Sequence, residues 1–85
     1  MAELYYDANK TAPAEKASAV TPSDSTVLTD VRGLYVGADG DVAVIMVGDT
    51  SAVTFVGVKA GTVLPLRVSK VMSTNTTATD IVALY

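Results

Sequence analysis

Hydroxyl and carboxylate groups that could supply a nucleophile and its base lie close together in the segment AVTPSDST at residues 19–26. A serine or threonine nucleophile needs a neighbouring base, but the chain contains no histidine or cysteine, which excludes a Ser-His-Asp triad and a thiol nucleophile. No G-x-S-x-G motif is present. Pro22 presets φ for a turn, and Asp24 can accept hydrogen bonds from nearby amides. The segment therefore predicts a turn or hinge, and we expect no catalytic residue.

Metal binding is the second chemistry that the residue types allow. Asp39, Asp41 and Asp49 lie beside glycines in predicted loops, and carboxylates in such loops can bind calcium. The EF-hand pattern and its distal glutamate are absent, however, and the pair Asp39-Gly40 is a strong β-hairpin signal in its own right. Without cysteine or histidine there is no ordinary structural zinc site. We therefore predict no metal ion and no cofactor.

The composition limits the remaining classes of function. The 85 residues are enough for one domain, and a hydrophobic content of 49% with 18% charged residues is too apolar for a disordered chain. The six lysines and arginines are scattered singly, which argues against a nucleic acid partner. No apolar run reaches the roughly 18 residues of a membrane span, and the first ten residues do not resemble a secretory signal. We predict no membrane insertion.

Two regions differ in their residue pattern. Residues 1–26 contain no glycine and no sustained apolar run, which predicts an N-terminal arm, extended or partly helical, with Pro13 suited to open a short helical turn. Residues 27–85 hold all six glycines between short β-branched runs. This pattern predicts an all-β body, a small antiparallel β-sandwich or barrel-like unit of about five to six strands. The expected strands cover 32–36, 42–47, 53–58, 63–72 and 81–85, with a polar loop at 73–79.

The strand predicted at 42–47 is apolar at every position. An antiparallel sheet usually leaves one face wet, and a body of about 60 residues is marginally stable alone. We therefore expect other subunits to cover part of the surface; the alternative is that this strand is the central strand of a tight sandwich. The last residues of the sequence, Leu84 and Tyr85, predict a docked final strand.

The chain has five aromatic residues, which are Tyr5, Tyr6, Tyr35, Phe55 and Tyr85. Tyr5 and Tyr6 stand next to each other in a polar arm, where they would either anchor an interface or pack partly against the body. Tyr35 and Phe55 fall in predicted strands and are expected in the core or at an interface. So few aromatics make a glycan-binding surface the weaker expectation.

Four short stretches together carry a family resemblance: VTPSD at 20–24, LYVG at 34–37, AGTVLPLRV at 60–68 and IVALY at 81–85. From about residue 11 to residue 85 the chain resembles the spike base proteins of gene transfer agents and related tailed phages. The resemblance implies a small β-sandwich that sits as a ring of five on capsid vertices and carries a fibre. It implies no catalysis.

The residue patterns agree with the resemblance in lacking a catalytic constellation and in favouring subunit contacts. The resemblance implies a non-enzymatic virion structural protein of the capsid surface, assembled in the bacterial host cytoplasm as a homo-oligomer, with a pentamer favoured, and bound to the major capsid protein and to a spike or fibre protein. A capsid decoration or cement protein is the alternative, and a glycan-binding receptor module is a weaker one. The residues expected in the interface or arm are Tyr5, Tyr6, Val20, Pro22, Asp24, Tyr35 and Tyr85.

Overall fold

The computed structural model describes residues 13–85, and this part of the chain forms seven β-strands without a helix. The strands are β1 (Ala17–Ala19), β2 (Gly33–Val36), β3 (Gly40–Met46), β4 (Val53–Val58), β5 (Thr62–Leu64), β6 (Val68–Val71) and β7 (Ile81–Leu84). Residues 13–85 accordingly contain no helix that is long and apolar enough to cross a membrane. The prediction of an all-β fold is confirmed.

The strands form two antiparallel sheets. The four-stranded sheet has the order β1-β7-β2-β5, and the three-stranded sheet has the order β4-β3-β6. The chain changes sheet between β2 and β3, and again at each connection from β4 to β7. Within the described residues, β3 and β4 therefore make the one hairpin between consecutive strands. Its turn lies between Met46 and Val53, close to the gap between the strands expected at 42–47 and 53–58.

The hairpin predicted at Asp39-Gly40 is wrong, because β2 and β3 belong to different sheets. Instead the pair marks a crossing from one sheet to the other. A Cβ atom on Gly40 would lie 2.5 Å from the amide nitrogen of Ala78, so the close approach of two chain segments requires glycine here. The Asp39 carboxylate accepts a hydrogen bond from the Ala60 amide at 2.6 Å and so ties this crossing to the next one.

The single strand predicted over 63–72 is also wrong, because the structure divides it between the two sheets. β5 ends at Leu64 at the edge of the four-stranded sheet, and β6 begins at Val68 in the other sheet. Pro65 follows β5 directly, and a residue without an amide proton fits an edge position. Gly57 lies at a β-bulge: the β3–β4 register shifts beside it, and its φ of 72° is one that glycine adopts without strain.

Part of the predicted arm belongs to a sheet. Residues 17–19 form β1, which pairs with β7 so that Ala17 faces Leu84 and Ala19 faces Val82. The amides of Glu15 and Lys16 donate to the carbonyl of Tyr85 at 2.6 and 3.1 Å. The helical turn considered after Pro13 does not form. β1 and the division of 63–72 account for the two strands beyond the predicted five, while the boundary at residue 26 stays a prediction.

The core lies between the two sheets and is almost entirely aliphatic. Its buried members are Val31, Leu34, Val36, Val42, Val44, Val58, Val68, Val71, Ala78, Ile81 and Ala83. In β3, Val42 and Val44 face this core, and Ala43, on the opposite face, is also buried. The apolar run at 42–47 is thus the central strand of a sandwich within one chain. Contacts within the chain already bury β3. Any contact with other subunits would therefore use another surface.

Candidate interaction surface

The hydroxyl and carboxylate groups of AVTPSDST do not form a nucleophile–base pair. Ser23 Oγ accepts hydrogen bonds from the amides of Ser25 and Thr26, both at 3.3 Å. The Asp24 carboxylate instead accepts from the amides of Ser73 and Thr74, at 2.9 and 3.0 Å, and from the Thr74 hydroxyl at 2.6 Å. The aspartate therefore does not take the proton of Ser23, and the segment has the geometry of a turn.

Asp24 acts as a clamp on a distant loop. The hydroxyl and amide of Thr74, together with the Ser73 amide, lower the pKa of the Asp24 carboxyl from 3.8 to about 2. Such a group stays ionised and is a poor general base near neutral pH. Its partners lie 50 positions along the chain, whereas the sequence suggested only neighbouring amides. The clamp therefore fixes the segment before β2 to the loop after β6.

Hydroxyl groups in that loop complete the edge of β3 where β6 has ended. Thr76 Oγ1 accepts from the Ala43 amide at 3.0 Å and donates to the Ala43 carbonyl at 3.4 Å. Thr77 Oγ1 accepts from the Asp41 amide at 2.8 Å, and the Asp41 carboxylate accepts from the Gly57 amide at 2.9 Å. The polar loop predicted at 73–79 thus supplies side-chain hydrogen-bond partners for the backbone of β3. We call residues 20–26, 37–41 and 73–80 the loop end of the sandwich.

Val20 and Pro22, two of the predicted interface residues, are half-buried at the loop end. Val20 packs against the core, and its amide donates to the Ile81 carbonyl at 2.8 Å. Both residues line an open groove of about 370 Å³ whose other wall is the loop at 73–81. The amides of Ser23 and Leu28 then bond to carbonyls of β6. This segment therefore shields the outer edge of the three-stranded sheet.

A different surface is formed by the side of the four-stranded sheet that faces away from the core. We call it the outer face, and strand alternation assigns to it Ala17, Ala19, Gly33, Tyr35, Val63, Val82 and Leu84. Tyr35 lies at its centre, with Val63 on one side and Val82 on the other. Tyr35 is 38% exposed and Val63 is 54% exposed. The outer face contains no charged side chain.

The corresponding side of the three-stranded sheet is mixed in character. Alternation places Asp41 and Lys70 there, beside Thr54 and the exposed Val56. Ionised groups keep water bound, and charged residues are depleted in the centres of protein interfaces. Of the two sheets, the four-stranded one therefore has the outward side that is better suited to bind an apolar partner.

The remaining predicted site residues are separated by the fold. Tyr35 lies on the outer face, Asp24 lies at the loop end, and Tyr85 is half-buried against the core. Tyr5 and Tyr6 lie outside the described residues. Sequence reasoning missed Val63, since a valine in a strand gives no sign of which face it occupies. Among residues 13–85, no group of three or more carboxylates could hold a metal ion, and Asp39 and Asp41 bond to backbone amides.

Comparison with solved structures gives a match over nearly the whole chain. A chain in the structure titled "Capsid of native GTA particle computed with C5 symmetry" is 35% identical, superposes with a TM-score of 0.77, and is matched over 89% of the present chain and 88% of its own length. No protein-family profile matches the sequence. A search of curated proteins found no match either.

Proposed function

This chain belongs to a family of capsid-associated proteins of gene transfer agents, and we propose that it is a non-enzymatic structural protein of the virion that forms a ring on the capsid surface, as the base of a vertex spike. The observation that carries the proposal is the match to a chain of the capsid structure over about nine-tenths of both chains. The shared fold is accompanied by a sequence identity of 35%. The structural role therefore rests on more than a common sandwich architecture.

The geometry of the chain supports a structural role. Its hydroxyl and carboxylate side chains at the loop end bond to the chain's own backbone, so they hold loops and leave no activated nucleophile there. The outer face, in contrast, is apolar and exposed at Tyr35 and Val63. Exposed apolar patches of this kind mark surfaces that bind another protein.

We propose a ring of five copies, with the major capsid protein beneath it and a spike or fibre protein above it. The number five is proposed because a capsid vertex has five-fold symmetry, which it offers to whatever binds there. In such a ring every copy contacts the next through two different surfaces, because a rotational repeat is head-to-tail. We also propose that the protein assembles in the host cytoplasm and lies on the outside of the virion.

A capsid decoration protein is the second candidate, and the same outer face favours it. If the outer face binds the capsid instead of another copy, the protein is monomeric until it reaches the particle. A glycan-binding module has less support within residues 13–85, because Phe55 and Tyr85 pack against the core and Tyr35 is then the one aromatic that is substantially exposed.

Light scattering after gel filtration of the full-length protein tests the ring. We expect a closed oligomer with the mass of five chains. A monomer that still binds purified particles lacking it would replace the spike base with a decoration protein. A monomer that does not bind such particles would contradict a virion role. The whole chain is needed for this test, since deleting residues 1–26 would also remove β1.

A further inference from the structure

We propose that β5 of each copy pairs with β1 of the next copy, so that the four-stranded sheets of the ring join edge to edge. The inference deepens the proposed ring and rests on it. It identifies the two surfaces of one chain that meet in the ring. They are the two edges of the sheet with the strand order β1-β7-β2-β5.

The β1 edge directs backbone groups away from the sheet. Lys16 and Tyr85 exchange two backbone hydrogen bonds, at 3.1 and 2.8 Å. Hydrogen-bonded pairs alternate along an antiparallel ladder, so the N–H and C=O groups of Ala17 and Ala19 point away from β7. All three residues of β1 are exposed, and a further strand could therefore bond to these groups.

The β5 edge presents the same kind of groups on the other side of the sheet. The Val36 carbonyl accepts a hydrogen bond from the Gly61 amide at 2.7 Å, so every second residue of β2, counted from Val36, faces β5. Val63 lies opposite Tyr35, between two such positions, and its N–H and C=O groups therefore point outward. β5 carries no charged residue of the kind that keeps a further strand away from an edge.

The two edges cannot pair within one chain. β7 and β2 lie between β1 and β5 in the same sheet, which separates the edges by three strand spacings, about 14 Å. A backbone hydrogen bond spans only about 3 Å. A pairing between these two edges therefore needs two copies.

The strand directions make the two edges complementary. Each strand of the four-stranded sheet is antiparallel to its neighbour, so β1 and β5 run in opposite directions. Copies related by rotation about an axis along the strands therefore bring β5 and β1 together as an antiparallel pair, and the contact is head-to-tail. The three-stranded sheet differs, because its edge strands β4 and β6 run in the same direction and the Ser23 and Leu28 amides already bond to β6.

The side chains at the joint are compatible with this pairing. Residues that lie opposite each other in a strand pair share one face of the sheet, so the outer faces of two copies become continuous. Val63 of one copy then lies beside Ala17 or Ala19 of the next, where small side chains leave room for it. The pairing thus covers Val63, which is 54% exposed in the single chain.

Cysteine cross-linking tests the joint, because the natural chain has no cysteine. The full-length variants Ala17→Cys/Val63→Cys and Ala19→Cys/Val63→Cys are oxidised and run on non-reducing gels, and peptide mass spectrometry identifies the linked pair. The separation of the two edges, about 14 Å, exceeds the roughly 7 Å limit between the Cα atoms of a disulfide. A disulfide between the two edges therefore joins two copies. The matched control is Ala17→Cys/Val56→Cys, since Val56 is 77% exposed but lies on β4 in the other sheet.

We expect a ladder of covalent oligomers, up to the closed ring, from at least one of the two edge variants. The control should give at least about a tenfold lower yield. Equal yields from Val63 and Val56, or disulfides only between like positions, would overturn the joint. Light scattering before oxidation separates the two proposals: an oligomer that gives no ladder contradicts this inference alone, and a monomer contradicts the ring itself.

Proline variants measure the joint without new thiols. Proline is tolerated on an edge strand where the N–H group faces outward, so Ala17→Pro and Ala19→Pro should keep the β-sheet signal in circular dichroism. The variant at the alanine that links to position 63 should raise the dissociation constant of the ring at least about tenfold. Ser18→Pro is the control, because the Ser18 amide points toward β7, and it should lower the urea midpoint of unfolding instead. Rings of both alanine variants that resist dilution as well as the natural protein would overturn the proposal.

Discussion

At the loop end of the sandwich, carboxylates and hydroxyls are occupied by backbone groups of the same chain, whereas the outer face of the four-stranded sheet presents Tyr35 and Val63 without an internal partner. The loop end contains most of the residues that could do chemistry, and it uses them to hold connections between sheets. The outer face contains residues without reactive groups. In this protein the reactive residue types stabilise the fold, and the inert ones are available for recognition.

This contrast separates two kinds of variant. Changes at the loop end should lower the free energy of unfolding. They should weaken assembly only as far as they reduce the amount of folded protein. Changes on the outer face should leave the free energy of unfolding nearly unchanged and weaken assembly. The variants of Gly40, Val63 and Thr76 are each paired with a control variant from elsewhere in the chain, so that each comparison can contradict this contrast.

The largest effect is expected at the sheet crossing. Gly40→Ala should lower the free energy of unfolding by about 3 kcal/mol, because the new methyl group overlaps the Ala78 backbone and forces it to move. Gly57→Ala is the matched control: nothing lies within 4 Å of its Cβ position, and its φ of 72° alone costs about 1 kcal/mol. Urea unfolding measures both. Equal losses would mean that the crossing is not tightly packed.

The next effect concerns the outer face. Val63→Asp should change the free energy of unfolding by less than about 0.5 kcal/mol, as is usual for an exposed position, but should weaken association by about 2 kcal/mol because a charge enters an apolar contact. Val47→Asp, at a similarly exposed valine, should change neither quantity. Gel filtration across a dilution series, with urea unfolding alongside, makes the comparison. An oligomer of Val63→Asp as stable as that of Val47→Asp would remove the outer face from the assembly.

A smaller loss is expected from the hydroxyl that completes the β3 edge. Thr76→Val keeps the shape of the side chain but leaves the Ala43 amide without its partner at 3.0 Å, which costs about 1 kcal/mol. Thr50→Val, in the exposed β3–β4 turn, serves as the control. Hydrogen exchange should show faster exchange of the Ala43 amide in Thr76→Val only. Protection of that amide in both variants would show that the loop backbone suffices.

The smallest effect is expected at Asp24, and it depends on pH. The carboxyl has a pKa of about 2 in the folded protein and an ordinary value of 3.8, so ionised Asp24 adds stability above pH 3.8 and loses this contribution as the pH falls through 2. Asp24→Asn should therefore unfold at a lower urea concentration than the natural protein at pH 7. The two midpoints should converge near pH 2. A difference that stays constant between pH 7 and pH 2 would contradict the charged clamp.

The positions of most strands could be predicted because short β-branched runs between turn residues carry a clear signal. The division of those strands between the two sheets could not be predicted, as Asp39-Gly40 shows. The same dipeptide can form a hairpin or a crossing between sheets, and the contact with Ala78 decides which of the two forms. β1 was missed for another reason. Alanine and serine have little preference for strands, and residues 17–19 are ordered by pairing with β7.

Only part of the candidate interaction surface could be predicted from the sequence. Tyr35 was singled out as an aromatic in a strand, and the structure places it at the centre of the outer face. Val63 had no distinguishing feature, because exposure depends on where a strand lies in its sheet. Asp24 was recognised as a turn residue, but its bonds to Ser73 and Thr74 join segments that are distant in the chain, which local sequence rules do not report.

The pairing of β1 with β7 also has a kinetic consequence. The outer face is made of strands from both ends of the described chain, so it does not exist until the most distant pairing has formed. Folds dominated by such non-local pairings form slowly, on a scale of about milliseconds to seconds. In the proposed ring, a nascent or partly folded copy would therefore lack a complete docking surface, and β7, made after the other strands, would control when that copy can join its neighbours.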